Sequence, residues 1–197
     1  MLAVAAGAER MTQAMRSLEA AFLIGVDGVT EIWLVRHGDC YEDMAEGADP
    51  PLSATGRRQA ERLAERVRRA GAKAIYSSPY RRAVETARIL GDHVREDARL
   101  VEIELELRED NSLDFKETPT SVLERMRAAI DDIVEAHRGE HVVVVTHGVA
   151  LMAYITDVLR LEPGQLRLLP YFTSVSVIRA LGDRRMVGGI ADTSHLE

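Results

Sequence analysis

Cysteine is almost absent. Cys40 stands alone among 197 residues, so no intramolecular disulfide is available, and that scarcity suits a reducing, cytoplasmic setting. Glycine and proline number only 14 and 6, counts that exclude collagenous and low-complexity chains, while plentiful aliphatic residues exclude disorder. No apolar run approaches the roughly 20 residues that a membrane-spanning helix requires, so no integral membrane protein is expected. The opening MLAVAAGAER has no basic region before its short apolar stretch and meets Glu9 and Arg10 early, so no secretory signal is expected either. Positive charge is in deficit: 25 Lys and Arg face 32 Asp and Glu, a net charge of −7, which argues against a protein that coats nucleic acid or an anionic membrane. What is present is 46% hydrophobic and 29% charged residues. A globular chain of this length buries roughly 70% of its unfolded surface without staples.

No repeat, low-complexity tract or linker divides the chain, so a single domain is expected over residues 21–197, with residues 1–20 set apart as an extension. Met11 and Met15 leave open a start further along or a frayed tail. AFLIGV, then Asp27-Gly28, then VTEIWLV reads as a tight hairpin or as a helix end followed by a strand. EIWLV has the continuous apolar character of a strand buried on both faces. Ser53 predicts a helix cap, with Ala60, Leu63, Ala64 and Val67 on one stripe and Gly71 as terminator. The arginines on the other face of that helix are interleaved with Glu61 and Glu65 and read as a solvated surface. The strand AKAIY and the turn SSP lead into a helix through VETARIL to Gly91, and ARLVEIEL is expected as a strand that enters an acidic loop. Thr118-Pro119 opens a helix whose Val122, Met126, Ile130, Ile133 and Val134 recur at helical spacing, so Met126 is core. HVVVV is a second buried strand, GVALMAYITDVLRL the helix after it, and SVSVIRA with RRMVGGI a closing antiparallel pair across Gly182-Asp183. This alternation predicts a three-layer α/β/α sandwich with a mostly parallel central sheet, one antiparallel edge strand and a short lid. Such sheets place their ligands beyond the carboxyl ends of the strands.

Two of the buried strands end alike. WLV runs into Arg36-His37-Gly38 and VVV into Thr146-His147-Gly148, so parallel neighbours would bring both histidines to one edge. Either histidine alone reads as a satisfied structural residue. Together, each followed by a glycine whose backbone can approach a ligand closely, they predict a paired-histidine site. Neither has a second histidine at helical spacing and no compact carboxylate set accompanies them, so no metal is expected. Arg36 points instead to an anion such as phosphate, which a guanidinium recognises with paired hydrogen bonds. Arg82, with Arg81 in the first residues of the helix after Ser77-Ser78-Pro79, adds to that reading.

Arg36-His37-Gly38, Pro51-Leu52-Ser53 with Gly56 and Gln59-Ala60, the run SSPYRRAVETA, Leu100-Val101-Glu102-Ile103 and Thr146-His147-Gly148 follow one another in an order that resembles the histidine phosphatase superfamily. That superfamily contains the cofactor-dependent phosphoglycerate mutases and many small phosphatases. The resemblance runs from about Ile32 to the C-terminus, where ADTSHL also resembles the ending of phosphatase members. It implies that His37 receives the phosphoryl group, that Arg36, Arg82, His147 and Gly148 surround the phosphate, that Glu102 donates the proton, and that no metal or cofactor takes part. The chemistry is coherent: a neutral imidazole attacks phosphorus well and covalent capture divides one hard displacement into two. Arginines, with a protonated or hydrogen-bonding His147, offset the charge on the phosphoryl oxygens.

Some positions depart from the family pattern. Cys40 follows Asp39 where Ser, Thr or Asn is usual, and without the Cys-x5-Arg spacing it is not expected to act as a thiolate nucleophile. Asp43 stands where mutases carry an asparagine. Glu106 and Arg108 replace the usual Gly and Trp after the acid, which keeps Glu104 as a reserve proton donor. Six carboxylates and one arginine lie between Glu102 and Asp114, an unfavourable wall for a bisphosphate. The expected function is therefore a phosphomonoesterase acting on a small phosphorylated metabolite. A phosphoglycerate mutase, a protein phosphohistidine phosphatase and a non-catalytic phospholigand-binding protein are the alternatives. The assembly expected is a monomer or homodimer: Phe22 and Ile24 could pair two chains, though covering their own sheet is the simpler use.

Overall fold

The computed structural model describes residues 2–40, 49–110, 112–162 and 165–197. In chain order the elements are α1 (Leu2–Ala21), β1 (Thr30–Arg36), α2 (Ala54–Ala70), β2 (Ala74–Ser77), α3 (Arg81–Leu90), β3 (Arg95–Glu96), β4 (Leu105–Leu107), β5 (Leu113–Phe115), α4 (Pro119–Ala136), β6 (His141–Thr146), α5 (Gly148–Val158), β7 (Val175–Leu181) and β8 (Arg184–Asp192). Side chains alternate across a strand, so β1 sends Trp33 and Val35 to one face and Ile32 and Leu34 to the other, all of them buried. The first pair packs with Leu63, Val67, Ala83, Ala87 and Leu90 of α2 and α3. The second packs with Met126, Ile130 and Ile133 of α4 and with Leu151 and Ile155 of α5. A sheet apolar on both faces requires this helix layer on each side, which is the predicted sandwich.

The six strands lie in the order β3-β2-β6-β1-β7-β8. From β3 to β1 every pairing is parallel, and β7 runs antiparallel to both of its neighbours. The antiparallel member thus sits one place in from the edge, because β8 closes outside it. One register decides the function: Arg36 on β1 lies opposite Thr146 on β6, so His37 and His147 leave the sheet side by side.

The helix boundaries follow the expected local chemistry. The Ser53 side chain accepts from Gly56 N, Gly71 ends α2 in the left-handed region at φ 71°, and Thr118 accepts from Ser121 N ahead of Pro119. Arginines of α2 form ion pairs or carbonyl bonds within the protein: Arg57 with Glu85, Arg66 with Asp192, Arg62 with the Leu196 carbonyl.

Two expectations change. ARLVEIEL is not one strand. It forms a 3-10 turn, Ala98–Leu100, then extended chain, and only Leu105–Leu107 pairs, with Leu113–Phe115, as a two-stranded hairpin. The reason is Arg125 on α4, whose guanidinium donates to the carbonyls of Arg99, Val101 and Glu102 and so occupies the acceptors that a ladder would use. The N-terminal region takes the helix-end form rather than the hairpin: α1 closes at Ala21 and β1 starts at Thr30. Of its apolar tail only Leu23 is buried, while Phe22 and Ile24 remain exposed instead of covering the sheet. Among the described residues no helix is long and apolar enough to cross a membrane.

Candidate active site

The site lies at the carboxyl ends of β1, β2 and β6. The His37 and His147 rings are 5.1 Å apart between centroids, although 110 positions separate them in the chain. His37 is buried, with Nδ1 2.7 Å from the carbonyl of its neighbour Gly38. A carbonyl only accepts, so Nδ1 carries the ring proton and Nε2 keeps its lone pair as an acceptor. Toward that lone pair points Arg82, whose Nε donates across 3.3 Å. Burial, reinforced by the Arg82 charge, pushes the His37 pKa down to about 3. The ring is therefore a neutral base of one tautomer throughout the physiological range.

His147 is fully buried and its Nε2 lies 2.8 Å from Ser78 Oγ. Burial drives its pKa well below the usual histidine range, and the neighbouring His37 and Arg82 push the same way. That direction favours the hydrogen-bonding alternative for His147 over the protonated one. Its Nδ1 is buried with no hydrogen-bond partner among the described residues.

The two guanidiniums arrive by different routes. Arg36 lies 4.1 Å over the Phe172 ring, donates from Nη1 to the Pro170 carbonyl at 2.6 Å, and has a buried Nε without a partner among the described residues. Arg82 comes from the first turn of α3 and reaches Asp49 at 3.3 Å as well as His37. Arg81 beside it turns outward to an ion pair with Glu85 at 3.0 Å, so only one of the two arginines joins the cradle.

Of the glycines after the histidines, Gly38 is needed for packing within the protein, while the space at Gly148 is bounded by side chains. A Cβ on Gly38 would sit 2.7 Å from the Gly56 carbonyl, and one on Gly148 would sit 3.2 Å from Leu169 Cδ1 and 3.6 Å from Arg36 Nε. Gly148 also opens α5. Glu102 caps that same turn. Its Oε2 accepts from Val149 N at 3.1 Å, and its Oε1 accepts from Ala150 N and from Ile103 N, each at 2.9 Å. The reserve candidate Glu104 is exposed in the segment just before the hairpin, so of the two acids Glu102 alone is held at the start of α5.

Cys40 is buried, and that burial raises its thiol pKa, which leaves it a protonated thiol and no nucleophile. Asp43 lies outside the described residues. In the acidic stretch, Lys116 pairs with Glu106 at 3.0 Å and with Asp114 at 2.8 Å, and Arg108 pairs with Asp114 at 2.9 Å, so part of the wall is neutralised. Among the described residues no three His, Cys, Asp or Glu side chains gather as metal ligands would.

Sequence reasoning missed several supports. Thr86 Oγ1 accepts from Gly38 N at 3.0 Å and Gln59 Oε1 accepts from Asp39 N at 2.9 Å; both lie inside the quoted motifs, where their polar type on a buried helix face was the available signal. Phe172 and Pro170 had no signal beyond an aromatic pair in the segment before β7.

A model of the histidine phosphatase superfamily (branch 1) matches residues 32–114 and 106–193. The chain is 30% identical, over an alignment of 213 positions, to the probable phosphoglycerate mutase GpmB of Yersinia enterocolitica, spanning 85% of this chain and 95% of that protein. It is 32% identical to the protein of the same name from Proteus mirabilis, over 66% of this chain and 75% of that one. Among solved structures it is similar to YhfR of Bacillus stearothermophilus, with a TM-score of 0.74 at 29% identity across 85% of this chain and 100% of that one. It shares the fold of a phosphoserine phosphatase from Entamoeba histolytica in complex with phosphoserine, with a TM-score of 0.73 at 22% identity over 85% of this chain and 100% of that one.

Proposed function

The chain belongs to the histidine phosphatase superfamily, and from that premise we propose that it is a metal-independent phosphatase that hydrolyses a small phosphomonoester through a phosphohistidine at His37. One observation carries the reading: a neutral His37 with Nδ1 bonded to the Gly38 carbonyl turns its unprotonated Nε2 to Arg82, whose Nε donates to it. A binding protein needs the guanidiniums but has no use for a buried nucleophile of fixed tautomer.

In the first step His37 Nε2 forms the bond to phosphorus while the bond to the ester oxygen breaks. Glu102, protonated for this step, gives its proton to the departing alkoxide. Arg36 and Arg82 balance charge on the phosphoryl oxygens, with the His147 ring beside His37. In the second step water attacks phosphorus, Glu102 takes the proton it loses, and the Nε2–P bond breaks to return neutral His37 and inorganic phosphate.

The names of the curated relatives favour a second reading, phosphoglycerate mutase. Against it stand the unpaired share of the acidic stretch and a lid reduced to one short hairpin, which offer little to hold a bisphosphate. A lone buried thiol fits the cytoplasmic location proposed with this function.

The test is turnover of p-nitrophenyl phosphate and of alkyl phosphates, with and without EDTA, together with phosphoenzyme trapping. The expected result is EDTA-insensitive release of phosphate, with an acid-labile, alkali-stable phosphoenzyme that His37→Ala lacks. An enzyme that needs metal, a labelled His37→Ala variant, or phosphoglycerate isomerisation dependent on added bisphosphate with no net hydrolysis would each overturn it.

A further inference from the structure

The C-terminal turn reaches the catalytic strand end through one contact. His195 lies in the 3-10 turn Ser194–Leu196, and its Nε2 is 3.0 Å from Thr173 Oγ1. Thr173 already gives its hydroxyl proton to the Phe172 carbonyl at 2.7 Å, so Oγ1 can only accept and His195 Nε2 carries the proton. The other ring nitrogen then has a bare lone pair, consistent with a buried Nδ1 that has no hydrogen-bond partner among the described residues. Burial and the charge of Arg66 on α2 hold the ring neutral down to about pH 4, with Arg62 on the same helix acting likewise and Asp192 of β8 opposing them.

Thr173 is fully buried and has φ 57°, a left-handed backbone that a β-branched residue keeps only when its surroundings enforce it. In that conformation its N–H donates to the Arg36 carbonyl at 2.9 Å and to the His37 carbonyl at 3.3 Å. The same short segment supplies the Pro170 carbonyl and the Phe172 ring that hold the Arg36 guanidinium.

We propose that His195 is a positioning residue for the nucleophile: its Nε2–H fixes Thr173, and Thr173 fixes the backbone of Arg36 and His37. The turn that carries it is itself docked on α2, through Arg62 to the Leu196 carbonyl and through Arg66 to Ser194 Oγ at 3.4 Å. The residues beyond 193 thereby belong to the active site, although they lie outside the stretch that the family model matches.

This inference rests on His37 being the nucleophile, and the experiment separates the two claims. Wild type, His195→Ala and His195→Gln are compared for kcat and KM on p-nitrophenyl phosphate, with thermal unfolding measured in parallel. The glutamine amide can place an N–H where the imidazole Nε2–H was. His195→Ala is expected to lower kcat roughly ten- to a hundredfold, as sub-ångström misplacement of a reacting group does, with KM within a few-fold of wild type. His195→Gln should recover most of that loss. Should His195→Ala fail to fold, Thr173→Ser, which keeps the oxygen, against Thr173→Ala, which removes it, gives the same contrast. An inactive wild type refutes the proposed function. An active wild type with kcat unchanged in His195→Ala, or with alanine and glutamine variants equally impaired, refutes the positioning role alone.

Discussion

Glu102→Gln separates the chemical role of this side chain from its structural one. The carboxylate accepts three N–H groups, two on Oε1 and one on Oε2. A glutamine oxygen can replace Oε1 and keep two of them, but its NH2 then meets the Val149 N–H donor to donor. Leaving that N–H unsatisfied costs about 1–3 kcal/mol, and removing an anion from a helix N-terminus costs about 0.3–1 kcal/mol. For a chain of this size a total near 2 kcal/mol lowers Tm by roughly 4–8 °C, so the variant stays folded at assay temperature. Its kinetic effect depends on the leaving group. An alkoxide needs the proton, and loss of a general acid slows its departure about 10²–10⁴-fold. Nitrophenolate leaves without one, so phosphoryl transfer from p-nitrophenyl phosphate should be nearly intact while hydrolysis of phosphohistidine, which needs the base, slows. Stopped-flow mixing of Glu102→Gln with p-nitrophenyl phosphate should therefore show a burst of one nitrophenolate per active site and then slow turnover. An alkyl phosphate should give no burst. Equal slowing of the first chemical step for both substrates would refute the assignment of Glu102 as acid and base, and loss of alkyl phosphate turnover in Glu104→Gln would transfer it to the reserve candidate.

Two other outcomes follow from the packing and protonation of the site. Gly56→Ala would drive a Cβ into the Asp39 carbonyl; overpacking of this kind costs about 1–3 kcal/mol, occasionally more, so urea unfolding should show a corresponding loss, and an unchanged midpoint would contradict the close approach of α2 to the loop after His37. The buried His37, its pKa lowered to about 3, binds no proton in the folded state where the unfolded chain does. Its stability contribution is therefore complete above pH 6.5 and lost as pH falls from 6.5 toward 3, by about 1.4 kcal/mol per pH unit, with His147 acting in the same direction. Unfolding measured at pH 7, 6, 5 and 4 checks this, and stability that is flat or rises on acidification would show the rings to be protonated in the fold.

The central strands and the histidine pair were legible because their causes are local. Continuous apolar runs such as Ile32–Val35 and Val142–Val145 can be buried only between two helix layers, and a strand that ends in Arg-His-Gly or Thr-His-Gly delivers its histidine wherever the strand ends. Parallel pairing of β1 with β6 then does the rest. The segment from Ala98 to Phe115 was not legible, since its β-rich composition is overridden by a guanidinium from α4, 26 positions away from Arg99 in sequence. The role of Glu102 was legible only through resemblance; that its carboxylate caps α5 depends on a contact across 48 residues. The same limit hid Phe172 and Thr173, whose importance lies in where their backbone turns rather than in any pattern of side chains.

What the cradle's cations touch explains why it favours an anion. An arginine matched to a carboxylate has its charge answered before any substrate arrives, and Arg81, in its pair with Glu85, is of that kind. Arg36 is held differently. A carbonyl and an aromatic face fix its orientation without cancelling its charge, and among the described residues no carboxylate forms an ion pair with it. Keeping such a cation buried is unfavourable in the empty protein, and a phosphate dianion relieves that cost. Arg82 pairs with the partly exposed Asp49 and also meets the His37 ring and the face of Tyr80. Two imidazoles whose burial favours the neutral form complete the arrangement: a protonated His37 would lose the lone pair on which attack depends.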